Sequence, residues 1–115
     1  MKRGEVYMAM LEPRSGSEQR GTRPVLLVSS DMFNSVPNWR SLIVAPLSTS
    51  SQNLRRGPSC IAVRAGTAGL RQDSFVLCHQ VTTLDRAKFG RRLGELPASA
   101  LEEVAAGLRV VLAID

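Results

Sequence analysis

At 115 residues the chain has room for one core, and residues 1–115 read as a single domain. With 43% hydrophobic and 22% charged residues, and no repeat or low-complexity run, the composition excludes a disordered or fibrous protein. A net charge of +5 and a pI near 10.2 favour an anionic partner, nucleic acid or an acidic protein. No apolar run approaches the ~20 residues of a membrane span. Met1-Lys2-Arg3-Gly4 leads into a short alternating segment, not a signal-peptide core, so a cytoplasmic location away from membranes is expected. His79 is the only histidine, which removes a histidine-cluster metal site. Cys60 and Cys78 lack metal-ligand spacing and read as buried free thiols, since a disulfide is unusual in that compartment. No metal and no cofactor are expected.

In chain order, Glu5 to Leu11 reads as a first strand, entered after Gly4 and stopped by Glu12-Pro13. A polar loop fills residues 12–22, a length that in compact domains goes with function or mobility. Val25 to Ser30, apolar and rich in β-branched residues, is a second strand. Gly16 and Gly21 permit positive φ in the loop, and Pro24 pushes Arg23 toward an extended backbone. A cationic loop is thus anchored at its last residue, Arg23, by a stiff strand. Asp31 to Asn34 fits one helical turn, and 35–40 is a second loop with Pro37 and the only tryptophan, Trp39. Leu42 to Leu47 is a third strand, in which Pro46 lacks an N–H and marks a sheet edge or strand end. A hydroxyl-rich patch, Ser48 to Asn53, and a basic loop, Leu54 to Pro58, follow.

Cys60 to Val63 is a short strand and Ala65 to Gly69 a turn. Phe75 to Cys78 is a buried-type strand ending in His79-Gln80-Val81. Thr83 to Phe89 reads as a helical turn capped by Asp85, and Arg91 to Leu96 as a last short strand. After Pro97, Ser99 and Glu102 have capping-box spacing. Leu101, Val104, Ala105, Leu108, Val111 and Leu112 then form one apolar helical face, suited to core or dimer packing. Five or six short strands with one terminal helix predict an antiparallel, barrel-like β domain closed by that helix. Neither a G-x-G-x-x-G nor a Walker loop is present, so this is not a nucleotide fold.

Three sets of residues carry chemistry: Arg23 with its loop, Ser48-Thr49-Ser50 after a buried strand, and His79-Gln80 at another strand end. Strand ends hold side chains rigidly yet open to solvent. A rigid guanidinium suits a phosphate, and a carboxylate at a strand end is its other partner. One arginine, one hydroxyl and one histidine suffice for metal-free cleavage of RNA. The 2′-OH attacks the neighbouring phosphate, a base takes its proton, an acid protonates the leaving 5′-oxygen, and a cation stabilises the extra charge. No carboxylate cluster for two-metal hydrolysis is present. The bland readings stay open: a turn for the Ser-Thr-Ser run, and a structural or surface role for the lone histidine. A Ser48–His79–Asp85 triad lacks a nucleophile elbow. On spacing alone a nuclease is one option among several.

The chain resembles the MazF/PemK family of toxin endoribonucleases. The resemblance rests on Arg3-Gly4-Glu5-Val6-Tyr7, on Gly16 through Ser29 with its G-x-E-Q-x-G-x-R-P block, and on Val44 through Ser48. It continues in Asp73-Ser74, Cys78 through Asp85, and Arg92 through Pro97. It implies an SH3-like barrel of five to seven mostly antiparallel strands with a C-terminal helix, forming a homodimer. It implies a toxin of a type II toxin–antitoxin system. Such a toxin cleaves single-stranded RNA, often mRNA, at short sequences without a metal, leaving 2′,3′-cyclic phosphate and 5′-OH ends. An antitoxin with an acidic, disordered C-terminal tail is the implied protein partner, and operator DNA is bound only together with it. A cationic surface suits both the acidic tail and the RNA.

By the same resemblance Arg23 sits at the family's catalytic arginine, and Ser48 falls where a catalytic threonine is usual. Serine keeps the hydroxyl, with Thr49 as a substitute. His79 stands where some members have an acidic residue before the same glutamine. One branch has an arginine where this chain has Leu77 and a histidine where it has Ser17, so His79 is the preferred acid or base here. Its reference pKa of ~6.5 suits proton transfer near neutral pH. Ser17, Gln19, Arg20, Thr49 and Gln80 are the expected RNA-binding residues. Arg55, Arg56 and Trp39 are candidates for phosphate contact and stacking, or else solvated loop residues. Two rivals keep the fold: a gyrase poison that binds without catalysis, and a regulatory nucleic-acid-binding module.

Overall fold

The computed structural model describes residues 1–55 and 57–115. Its strands are β1 (Glu5–Met10), β2 (Thr22–Leu27), β3 (Ser41–Ser48), β4 (Cys60–Val63), β5 (Ser74–Leu77), β6 (Thr82–Asp85) and β7 (Phe89–Glu95). A one-turn helix α1 (Asp31–Asn34) and a C-terminal helix α2 (Ala98–Leu112) complete the regular structure, with two 3₁₀ segments between β3 and β4 and one each between β5 and β6 and between β6 and β7. The strand order is β4-β5-β3-β2-β1-β7, β6 pairs with β3, and every pairing is antiparallel. The mainly-β expectation with a C-terminal helix holds, with seven strands.

Alternation along the strands sorts side chains onto two faces. Val6, Leu26, Ala45, Leu47 and Val76 point to one cluster, which α2 covers with Val104, Leu101, Leu108 and Val111. Tyr7, Ala9, Leu11, Val25, Leu27 and Val44 point to a second cluster, completed by Leu42, Leu84 and Phe89. Leu112 lies outside the apolar face expected of it and is exposed. The expected capping box is also absent. Pro97 occupies the cap position, the helix begins at Ala98, and no side chain caps it. Ser99 therefore already lies within the first turn.

Several boundaries move for tertiary reasons. β2 starts at Thr22, because Arg23 pairs with Ala9 and Pro24 with Met8. Arg23 is thus a strand residue and not the last residue of a loop. Thr82–Asp85 is a strand along β3, and only Arg86–Lys88 turns. Asp85 does cap that turn, accepting from the Ala87 N–H at 2.8 Å. Pro46 is neither at an edge nor at a strand end: it lies buried within β3, opposite Val25. β5 and β6 follow one another along β3, pairing Leu47 with Val76 and Val44 with Thr82. Between them Cys78–Gln80 loop out as a 3₁₀ turn, followed by Val81, opposite Ala45 and Pro46. The missing N–H thus falls where the partner strand is interrupted, which answers the usual objection to proline in a sheet interior. Helix α2 presses close to this turn at Gly107, where a Cβ would stand 2.9 Å from the Cys78 Sγ.

Candidate nucleic-acid interface

The 3₁₀ turn carries His79 and Gln80 toward the long first loop. The Leu11 N–H donates to the Gly21 carbonyl at 2.8 Å and closes the base of that loop. Gln80 then ties its crown down: its Oε1 accepts from the Gln19 N–H at 2.9 Å, and its Nε2 donates to the Ser17 carbonyl at 3.2 Å. Arg14 braces the inner side, donating through Nε to the Leu11 carbonyl at 2.8 Å and meeting Glu18 and the Thr82 hydroxyl at 3.4 Å. Between loop and turn lies a cleft of about 320 Å³, with Leu11 and Pro46 in its floor and Ser17, Gln19, His79 and Gln80 around it. Four expected site residues therefore meet in one place. Arg20 stays outside, 3.7 Å from Glu12. The Cys60 thiol lies 4.0 Å from His79 Nδ1.

Arg23 and Ser48 lie on β2 and β3 just beyond the Val25–Pro46 pair, at the rim of the sheet. The β2–β3 pairing ends with Val25 opposite Pro46; the same register carried two residues further would set Arg23 opposite Ser48. Strand alternation puts both on the same face as Leu11 and Pro46, the cleft floor. Arg23 is exposed, and its Nε donates to the Arg20 carbonyl at 2.9 Å. Among the described residues its other guanidinium nitrogens have no partner, and it makes no ion pair. The carboxylate alternative for Arg23 is therefore not what the fold builds. Ser48 is half-buried, and its oxygen accepts from the Ser50 N–H at 3.2 Å, leaving its own hydroxyl hydrogen to donate elsewhere. The local-turn reading of Ser48 is thus present, and it does not use up the hydroxyl. Thr49 points into a different cleft, on the opposite face. Asp85 pairs in register with Ser41, seven residues along β3 from Ser48, or ~23 Å at ~3.3 Å per residue. That distance rules out the Ser48–His79–Asp85 triad.

Several other charges are committed to structure. Glu5 accepts from Tyr7 Oη at 2.8 Å, from the Lys2 N–H and from Arg92 Nε. Burial pushes the Glu5 carboxyl up, but these three donors outweigh it and hold it below its ordinary value. The same burial, with the carboxylate alongside, pushes the Tyr7 hydroxyl up to about 12. Hydrogen bonds from Arg40 and the Ala87 N–H lower Asp85. Arg86 donates to the carbonyls of Trp39, Asn34 and Val36 and so shapes the second loop. Trp39 leans on Phe33, with ring centroids 5.1 Å apart, and is partly exposed. Arg55 is exposed, and Arg56 lies outside the described residues. The sequence reading missed Arg14 and Arg86. The i,i+4 spacing of Arg14 and Glu18 was a usable signal; nothing local marks Arg86.

Residues 2–112 match the family described as PemK-like, MazF-like toxin of type II toxin–antitoxin systems. The chain belongs to that family. The endoribonuclease PemK of Escherichia coli is 39% identical over 113 residues, covering 97% of this chain and 82% of PemK. The endoribonuclease MazF2 of Mycobacterium bovis is 38% identical, covering 97% and 96% of the two chains. The crystal structure of MazF from Deinococcus radiodurans superposes with a TM-score of 0.81 at 26% identity, covering 99% of this chain and 97% of that one. The chain is accordingly a toxin endoribonuclease of the MazF/PemK family. No described helix is long and apolar enough to cross a membrane. The family match spans both sides of the cleft and the Arg23–Ser48 rim.

Proposed function

We propose that this MazF/PemK toxin cuts single-stranded RNA, mRNA included, at short sequences, at the Arg23–Ser48 rim and without a metal. The 2′-oxygen forms a bond to the adjacent phosphorus as the bond to the 5′-oxygen breaks, leaving a 2′,3′-cyclic phosphate and a 5′-OH. Arg23 stabilises the charge that builds on the phosphate, the largest contribution in such a reaction. The Ser48 hydroxyl donates to a phosphate oxygen, and Thr49, turned to the opposite face, contacts the RNA beyond it. His79, in the adjoining cleft, exchanges the protons of attacking and leaving oxygens. Ser17, Gln19, Arg20 and Gln80 read the bases. The observation that carries this reading is the exposed Arg23 guanidinium, its outer nitrogens unengaged by described residues, at the strand end just beyond the Val25–Pro46 pair.

The active form is a homodimer of single-domain chains in the cytoplasm. An antitoxin with an acidic tail competes with RNA for the same cationic surface, and operator DNA is bound only by the toxin–antitoxin pair. The deciding experiment incubates wild type and Arg23→Ala with a long single-stranded RNA in EDTA. Wild type cuts at a recurrent short site, and the variant is slower by about 10²–10³-fold. If wild type binds the RNA and leaves it intact, the rim is a binding surface only.

A further inference from the structure

A second cleft, of about 310 Å³, lies on the opposite face of the sheet from the first. Met8, Pro24 and Leu93 make an apolar floor, and Arg71 and Arg91 stand over it. β7 sends successive arginines to opposite faces: Arg92 goes to the buried Glu5, Arg91 to this cleft. Among the described residues no carboxylate lines the cleft, and neither Arg71 nor Arg91 makes an ion pair or hydrogen bond. This differs from Arg14, Arg20, Arg40 and Arg92, each of which faces an acidic group.

The cleft is built. Its wall, the segment around Gly69, is pressed against β7 with no side chain between. A Cβ on Gly69, whose φ is +75°, would lie 2.1 Å from the Leu93 carbonyl oxygen, and one on Gly94 would lie 2.5 Å from the Ala68 backbone. This interlock of glycines fixes Arg71 relative to Arg91. The cleft also starts where the rim ends: Pro24 follows Arg23, Thr49 follows Ser48, and both line it. A strand held at the rim therefore has the first cleft on one side and the second on the other.

We propose that this second cleft binds the RNA next to the cleaved phosphate, with Arg71 and Arg91 holding backbone phosphates and the apolar floor receiving a ribose or base. The proposal rests on the rim being where RNA is cut. Paired guanidiniums with unused donors suit phosphate oxygens, which they meet bidentately. The floor supplies the sequence-tolerant contact that single strands take from flat apolar surfaces.

The test uses a single-stranded RNA made uncleavable by 2′-deoxy substitution, and compares wild type with Arg71→Gln/Arg91→Gln across a salt series. Circular dichroism checks the fold, and Arg71→Glu/Arg91→Glu serves as the stronger variant. Losing two phosphate contacts lowers the slope of log K against log salt by about 1.4 and weakens low-salt binding roughly tenfold. An unchanged slope in a folded variant overturns the proposal. So does a variant that loses affinity for a glutamate-rich peptide but keeps its RNA slope, which would assign the cleft to an acidic protein. Wild-type cleavage of the all-ribose RNA is followed in parallel. If that fails, the reading of the rim falls, whereas a normal wild type with an unchanged variant slope sinks the second cleft alone.

Discussion

Arg23 and Arg92 make a natural pair. Both belong to strands flanking β1, Arg23 opposite Ala9 on β2 and Arg92 opposite Tyr7 on β7, and both project to the same face. Arg92 is bound to a buried carboxylate that also takes the Tyr7 hydroxyl. Among the described residues the Arg23 side chain has a single hydrogen bond, to a carbonyl three residues away. One cation is neutralised and contributes to holding β7 on β1. The other stays exposed at a rim, with its outer donors free of described partners. The contrast shows that placement on a strand does not decide what a charge is for; the presence or absence of a counter-charge does.

The comparison breaks most visibly if the two arginines are removed in turn. Arg23→Ala is expected to cost about 10²–10³-fold in RNA cleavage while stability moves by less than about 0.5 kcal/mol. Arg92→Ala is expected to do the reverse: about 1–3 kcal/mol of stability lost in urea unfolding, because Glu5 keeps its burial and loses its cation. Its cleavage rate well below the unfolding transition should stay within a few-fold of wild type. Equal effects of both substitutions on cleavage would erase the distinction.

The His79 side of the site sharpens it. His79→Ala should lower the cleavage rate about 10²-fold with RNA affinity much less affected; an unchanged rate removes the proton-transfer role. Gln80→Ala should act more gently, since it releases the two hydrogen bonds that hold the first loop. Faster amide exchange at Ser17 to Gln19 and a several-fold loss in kcat/KM with relaxed site choice are expected. Retained site choice with a loosened loop would show that the loop reads nothing.

The smallest effect concerns pH. The Glu5 carboxyl sits below its ordinary 4.5 in the fold, so its stabilisation is present above that value. It fades as pH falls through the lower folded value, where the carboxylate takes up a proton. Wild type should therefore lose its stability advantage over Glu5→Gln on acidification below about pH 4.5 and keep it at pH 7. A constant advantage down to pH 3 would mean that the Glu5 network does not depend on charge.

Much of the fold was legible because strand length and alternation are local. β1, β3, β4, β5 and β7 fall within one or two residues of where patterning set them. Pro46 was misread because the rule about a missing N–H is right while the gap in its partner strand is tertiary: Cys78–Gln80 loops out beside it. β6 read as part of a helical turn because Thr83 to Phe89 is short, with Asp85 placed as a cap. Its pairing with Ser41 to Val44 overrides that preference. At the site, residue types were legible and company was not. Ser17 and Gln19 meet Gln80 across some sixty residues of chain, and no spacing rule reports that. The bareness of Arg23 was also invisible, since it depends on which carboxylates the fold leads elsewhere.

The most direct test of the account maps the ends of RNA cut by the wild-type protein, beside the same RNA carrying a single 2′-deoxy nucleotide at the cut position. Attack by the 2′-OH gives a 2′,3′-cyclic phosphate and a 5′-OH, with cleavage at that position abolished by the one missing hydroxyl. A 5′-phosphate product, or continued cutting at the 2′-deoxy position, would contradict attack by the 2′-OH at the Arg23–Ser48 rim.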